Sequence, residues 1–384
     1  MSGHGVLRFV NGLSEKLASR SRHVCLFVGA GASRACGLPD VAKLEEHLRT
    51  SLSGESLSNF ERLMDGRNLE QVLSRLRRIS ALLSGTTDQV DGLTAKEAGD
   101  LDVEICRRIV EKLVIDPSAM DPMLRLASWA ARADYHQPLE LFTVNYDLLI
   151  ETGLEALGVP YFDGFAGTMH AQFRSDLVEA SVGEERHWLP AFLVRVWKLH
   201  GSVNWAWQTD PRPSVVRLGT AVPDDQPAAI YPSDAKYDES RRVPFVVLQD
   251  RLRRAIEQPE TLTMIAGYAF GDQHLNEMIF EAARRRPRSE FIAFCYSTMP
   301  EDLVALATTA PNVQVVSPKE AILGGIQCTW ETPDDPPADV WADDAFLLGD
   351  FRYLAQFLAR SSPPQAELEA RLSELLAKAV KPGA

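Results

Sequence analysis

The chain has 384 residues, 45% hydrophobic and 24% charged, a balance that excludes wholesale disorder and fibrous architectures. At about 150 residues per domain, this length predicts two or three domains, or one large α/β domain with insertions. With 40 Lys and Arg against 53 Asp and Glu the net charge is −13; such a field does not hold a chain on DNA, and no direct sequence-specific DNA binding is expected.

No apolar run approaches the ~18–20 residues of a membrane span. The opening MSGHGVLRFV has no signal-peptide core, so a cytoplasmic protein without membrane contact is expected. Cys25, Cys36, Cys106, Cys295 and Cys328 form no C-x-x-C pair. They read as reduced thiols rather than a disulfide framework or zinc ribbon, and no metal is expected. Arg284, Arg285, Arg286 and Arg288 read as a solvated helix end, with a local basic patch as the alternative.

In chain order, residues 5–20 place Leu7, Val10, Leu13 and Leu17 at helical spacing. The apolar run Val24–Val28 stops at Gly29, as a buried parallel strand does. A helix is expected from Pro39 through Val41–Leu48. Residues 56–130 read as amphipathic helices broken by the loop SGTTDQVDG, so a helical insertion at about 45–135 is predicted. Further strand-length runs are Leu139–Val144, Phe192–Leu199, Thr261–Ala266, Phe291–Tyr296 and Val313–Val316. Helical patterns separate most of them, which predicts an α/β fold with a doubly wound, mostly parallel, Rossmann-like sheet over residues 1–320. Residues 208–244 are a long Pro- and Asp-rich excursion. Residues 321–344 read as an acidic, Pro-rich linker and 345–384 as a helical C-terminal tail. In its last helix Leu368, Leu372, Leu375, Leu376 and Ala379 share a face, which serves equally as packing on its own domain or as an oligomer contact.

Four constellations end strands, where an open α/β sheet binds its ligand. Gly29-Ala30-Gly31-Ala32-Ser33-Arg34 follows the first run; it reads as a turn that lets backbone approach a pyrophosphate, or simply as a tight strand–helix turn. Arg34 stands where a dehydrogenase fingerprint has its third glycine, and no G-K-[ST] follows. Asn145 and Asp147 in TVNYD suit the orientation of a ribose or a water, or an Asx turn capping the next helix. His200 in KLHGS is a candidate general base, or a satisfied structural histidine. In GYAFGD, Gly267 and Gly271 suit the lining of a ribose or phosphate, and Asp272 suits a helix N-cap. His274 and Asn276 lie nearby, and Trp205, Trp207 and Tyr231 either cap the site or pack.

The ordered set resembles the sirtuin superfamily, in its bacterial zinc-free branch, over roughly residues 20–320. Gly29, Ala30, Gly31, Ser33, Gly37 and Pro39 match the family's first motif, Asn145 and Asp147 its Asn-x-Asp, and His200 its catalytic His-Gly. GYAFGD is similar to the branch's later glycine motif. The chain departs from protein-deacylating members in lacking the paired C-x-x-C of the zinc ribbon and in reading Asp40-Val41-Ala42 after Pro39.

The resemblance implies NAD as substrate, without metal. Asn145, His200 and Asp147 would be the catalytic residues; Gly29, Ala30, Gly31, Ser33, Gly37, Gly267 and Asp272 would bind the dinucleotide. It implies an NAD⁺ glycohydrolase giving nicotinamide and ADP-ribose, an anti-phage effector that depletes NAD. A homo-oligomer with a partner such as a HerA-type ATPase is expected. The alternative is a non-hydrolytic NAD- or ADP-ribose-binding subunit of a DNA-processing defence complex; deacylation or ADP-ribosyl transfer is the weakest reading.

Overall fold

In the computed structural model, residues 3–180, 190, 192–208, 214–222, 228–230 and 243–361 are described. Tyr231 and the helix expected at 364–380 lie outside the described residues.

Ten strands form the main sheet in the order β1-β15-β14-β13-β12-β11-β2-β3-β7-β4. Their ranges are β1 His4–Gly5, β2 Val24–Val28, β3 Glu140–Thr143, β4 Tyr161–Phe162, β7 Val194–Lys198, β11 Leu262–Ala266, β12 Glu290–Phe294, β13 Val313–Val316, β14 Glu320–Leu323 and β15 Ile326–Glu331. From β13 to β4 every neighbouring pair is parallel. Such strands are covered on both faces, and β2 is buried at all five positions, which is why it reads as an uninterrupted apolar run.

Helices α1 Val6–Ala18, α7 Asp121–Arg132, α8 Leu149–Ala156 and α13 Phe351–Ser361 supply one apolar layer. Helices α10 Phe245–Ile256, α11 Gln273–Arg285 and α12 Glu301–Thr309 supply the other. The sheet is thus doubly wound. The chain runs outward from β2 through β3 to β7, then returns to lay β11 against the other side of β2. The crevice at the exits of β2 and β11 is therefore the switch point where α/β folds bind ligands.

Helices α2 Ala30–Ala35, α3 Val41–Ser51, α4 Gly54–Met64, α5 Leu69–Leu82 and α6 Ala95–Lys112 follow β2. The starts of α5 and α6 are held by reciprocal capping boxes, Asn68 with Gln71 and Thr94 with Glu97. These helices bury Leu48, Phe60, Leu76 and Ile105 against Val203, Ala206 and Val216. The last three belong to a second, antiparallel sheet of order β10-β8-β9-β6-β5. It comprises β5 Phe165–Ala166, β6 His170–Phe173, β8 Gly201–Gln208, β9 Ser214–Leu218 and β10 Ala228–Ile230; the short helix α9, Ser175–Glu179, follows β6. The helical insertion is present, but α7 lies in the main sheet's own helix layer and packs on α8 and α13.

Residues 321–344 are not a linker. β14 lies antiparallel to β13, β15 antiparallel to β14, and β1 adds to β15. In β15 apolar and polar residues alternate and most positions are exposed, as in an antiparallel strand with one face in water, so its composition mimics a solvated segment, whereas Ala321 and Ile322 of β14 are fully buried. Of the expected helical tail, Ala345–Phe346 is a short strand and α13 begins at Phe351. α13 buries Phe351, Leu354, Phe357 and Leu358, so it is integral to the core.

Candidate active site

The exits of β2, β3, β7, β11 and β12 open on one cleft of about 950 Å³. Ala30, Gly31, Ser33, Asn145, Asp147, His200, Gly267 and Asp272 all line it. Two residues expected there do not. Gly37 sits behind the cleft at φ +80°, closing the end of α2 with its N–H on the Arg34 carbonyl; only the left-handed turn requires a glycine. Gly29 is covered by Gly267 and Tyr268.

The glycines answer a different need from the one expected of them. A Cβ at Gly29 would stand 2.5 Å from the Gly267 carbonyl oxygen, one at Gly31 2.7 Å from the Gly267 Cα, and one at Gly267 2.7 Å from the Ala32 nitrogen. The Gly31 N–H donates to the Gly267 carbonyl at 2.8 Å, and Gly29 N–H to Ala266 at 3.0 Å. The three glycines let two strand-exit loops cross backbone to backbone, so the Gly31 N–H is committed to protein rather than directed at a phosphate.

Ser33 is the hub of the polar floor. Its hydroxyl donates to Asp147 Oδ2 at 2.6 Å and accepts from Asn145 Nδ2 at 2.8 Å. The same amide donates to the Gly29 carbonyl at 2.9 Å. With Nδ2 turned inward, Oδ1 is the amide atom left to meet a ligand. The Asp147 Oδ1 accepts the Leu149 N–H at 3.1 Å, so Asp147 also forms the Asx turn that starts α8. Behind it the buried Lys198 ammonium donates to the Asp147 carbonyl and pairs with Glu151 at 3.1 Å.

His200 follows β7, and Gly201 after it turns at φ +89°. Its Nε2 lies 3.2 Å from Asp272 Oδ2, with both side chains buried. Asp272 Oδ1 accepts the N–H groups of His274 and Leu275, so this carboxylate caps α11 while holding the imidazole. Burial pushes the Asp272 carboxyl up, but the His200 bond and charge and the two N–H groups outweigh it and hold it below its ordinary value. In its neutral form, an imidazole donating from Nε2 to a carboxylate presents Nδ1 as its acceptor nitrogen. In the same loop Phe270 sits at φ +56°, a conformation that costs a bulky residue about 1–3 kcal/mol. Asn276 Nδ2 holds its carbonyl at 2.7 Å, and the Tyr268 hydroxyl bonds Asn276 in turn.

Leu44 and Leu113, from the helical insertion, line the cleft too. Trp205 does not; it is fully buried against Phe165 and Phe245 and is packing. Sequence reasoning missed Tyr296, Asp350 and Arg352, which line the cleft from the end of β12 and the entry of α13. They carry no motif: Tyr296 reaches the cleft from the exit of β12, and the placement of α13 brings Asp350 and Arg352 there. Among the described residues no group of three or more His, Cys, Asp or Glu is placed to hold a metal, and no helix is long and apolar enough to cross a membrane.

Residues 139–312 match the SIR2-like domain family, a span from β3 to the edge of β13. It contains Asn145, Asp147, His200, Gly267 and Asp272, but neither the first glycine turn nor α13. Among solved structures, one titled "Structural Basis for the Mechanism and Regulation of Sir2 Enzymes" is similar at 13% identity, covering 76% of this chain and 87% of that chain with a TM-score of 0.39. A search of curated proteins finds no match.

Proposed function

We propose that this chain is an NAD⁺ glycohydrolase that cleaves NAD⁺ to nicotinamide and ADP-ribose. The observation that carries the reading is the convergence of Asn145 and His200 on one cleft at the switch point of the sheet. A pure binder needs no imidazole oriented by a buried carboxylate; a hydrolase does.

The chemistry asks little of the protein beyond position and a base. The glycosidic C–N bond breaks with its electron pair returning to the cationic nicotinamide ring, which leaves neutral. A water oxygen bonds the electron-poor ribosyl carbon, and its proton passes to a base and then to solvent. Asn145 Oδ1 accepts from the water or a ribose hydroxyl, and His200 Nδ1 takes the proton. Such acid–base help contributes typically ~10²–10⁴-fold. Leu44 and Leu113 limit bulk water in the cleft, so the water that reacts is the one held. The helical insertion stands beside Asp40, where the sequence already departs from acyl-peptide-using relatives, and this supports hydrolysis over deacylation.

By the same sequence resemblance the chain is an NAD-depleting effector of anti-phage defence. It works as a homo-oligomer restrained until a partner such as a HerA-type ATPase engages it. Chromatography of NAD incubated with wild type, His200→Ala and Asn145→Ala, each alone and with an ATPase encoded beside it, tests the reading. Nicotinamide and ADP-ribose from wild type, absent with both variants, support it. NAD bound but unconsumed in the assembled complex overturns it in favour of a binding subunit. Light scattering that finds a strict monomer with and without the ATPase overturns the assembly.

A further inference from the structure

Asn145 follows β3 and His200 follows β7, so their separation depends on how these two strand exits are joined. Residues 198–203 grip the 143–147 loop at three of its carbonyls. The Leu199 N–H donates to Thr143 at 2.8 Å and the Val203 N–H to Tyr146 at 3.0 Å. The Ser202 hydroxyl adds a contact of 3.3 Å to the same Tyr146 oxygen. The third carbonyl, that of Asp147, is met by a side chain instead, the Lys198 ammonium.

That ammonium is an expensive way to hold a loop. The Lys198 side chain is 2% exposed. Its counterion is Glu151 Oε1 on α8, at 3.1 Å, and the other Glu151 oxygen is buried without a hydrogen-bond partner. An ion pair buried this deeply and bonded this incompletely adds little net stability, because desolvation of both charges offsets their attraction. Apolar side chains of similar volume serve a core at least as well. Apart from its counterion, the charge is spent on one backbone oxygen in the loop that carries Asn145. Ser33 ties the same loop to the exit of β2 through the Asn145 and Asp147 side chains. Lys198 ties it to the strand that leads, two residues on, to His200.

We infer that Lys198 is a positioning residue for the proposed hydrolysis: by holding the Asp147 carbonyl it sets the Asn145 amide at a fixed distance from His200. Lys198 does not itself line the cleft, so it acts through the loop and touches no reacting atom. A water reacts productively only where amide and imidazole both meet it, and a displacement of about 1 Å costs up to roughly 10²-fold in rate. This inference rests on the hydrolase reading above.

Steady-state NAD hydrolysis by the full chain, in the assembly in which wild type is active, tests it. Lys198→Met removes the donor and nearly keeps the volume. Its kcat is expected to fall roughly 10–10²-fold while KM moves less than about threefold, because the clamp serves the reacting geometry rather than the holding of NAD. The same variant strands the Glu151 carboxylate in the core, so it also loses stability. Lys198→Met combined with Glu151→Leu removes both charges and is expected to regain the unfolding temperature of wild type. In that double variant kcat, taken per folded chain well below the melting temperature, should stay as low as in Lys198→Met. If Lys198→Met does not fold, the double variant decides. A double variant whose kcat returns to that of wild type overturns this inference and leaves the hydrolase reading standing. Wild type that binds NAD without consuming it, alone and with the ATPase, overturns both.

Discussion

The main sheet carries a buried polar cluster at each end of its strands, and the two are built on opposite plans. At the N-terminal end Glu140 is fully buried and accepts from His23 Nε2 at 3.0 Å, Trp197 Nε1 at 2.6 Å and Arg251 Nε at 2.8 Å. Burial pushes its carboxyl up, but the Arg251 charge and the His23 and Arg251 bonds prevail and hold it well below the carboxylate range. Both oxygens are occupied by protein donors, and none of these residues lines the cleft. At the C-terminal end, Ser33, Asn145, Asp147, His200 and Asp272 are bonded on their inner side only and line a cleft of about 950 Å³. Burial of charge therefore does not mark the site. A cluster closed on itself locks strands and helix together, and one left incomplete toward a cavity is where chemistry can occur.

Substitutions separate the two plans, because one cluster should govern folding and the other turnover. The largest effect is expected from Glu140→Ala, which leaves Arg251 buried without its partner. Breaking a buried pair costs about 3–5 kcal/mol, and chemical denaturation should show a loss on that scale. His200→Ala should act mainly on turnover. NAD turnover should fall about 10²–10⁴-fold, while the stability loss should stay near the lower end of ~1–3 kcal/mol because Asp272 keeps the two N–H donors of α11. Ser33→Ala lies between the two. It removes the bridge between Asn145 and Asp147 and leaves a buried carboxylate oxygen short of a donor, a penalty of about 1–3 kcal/mol in stability. It should also lower turnover, because Asn145 loses one of its two anchors; Ser33→Thr, which keeps the hydroxyl, should restore turnover in part.

The smallest effect concerns pH. The Asp272 carboxyl lies below its ordinary value in the folded state. Its stabilisation is therefore present above the unfolded value of about 3.9 and is lost as pH falls through the folded value. Asp272→Asn should lower the unfolding temperature at pH 7, and the gap to wild type should narrow below about pH 4. A gap that stays constant down to pH 3 would show that the carboxylate charge of Asp272 does not carry the stabilisation.

Much of this architecture is legible locally. Runs such as Val24–Val28 and Leu262–Ala266 announce buried parallel strands because nothing in them faces water. Asn145, His200 and Asp272 are legible as strand-end residues because polar side chains directly after such runs mark the ligand edge. Glu140 and Arg195 sit inside two other such runs, β3 and β7, with no local sign of how they would be neutralised. Glu140 finds Arg251 from 111 residues away, and only packing makes that contact. β15 is not legible locally because its mostly exposed side chains look like those of a solvated segment, and β14 is not because its apolar stretch is only three residues long.

By itself the sequence determined the parallel sheet, the helical insertion and the order of the four polar strand ends, since each depends on periodicity and composition within a few residues. The tertiary structure decided the rest. It made Gly29, Gly31 and Gly267 a backbone crossing, Ser33 the bridge between Asn145 and Asp147, Asp272 the partner of His200, and α13 a wall of the cleft. Each of these joins groups far apart in the chain, and hydrogen bonds and close contacts act over distances that only folding brings about.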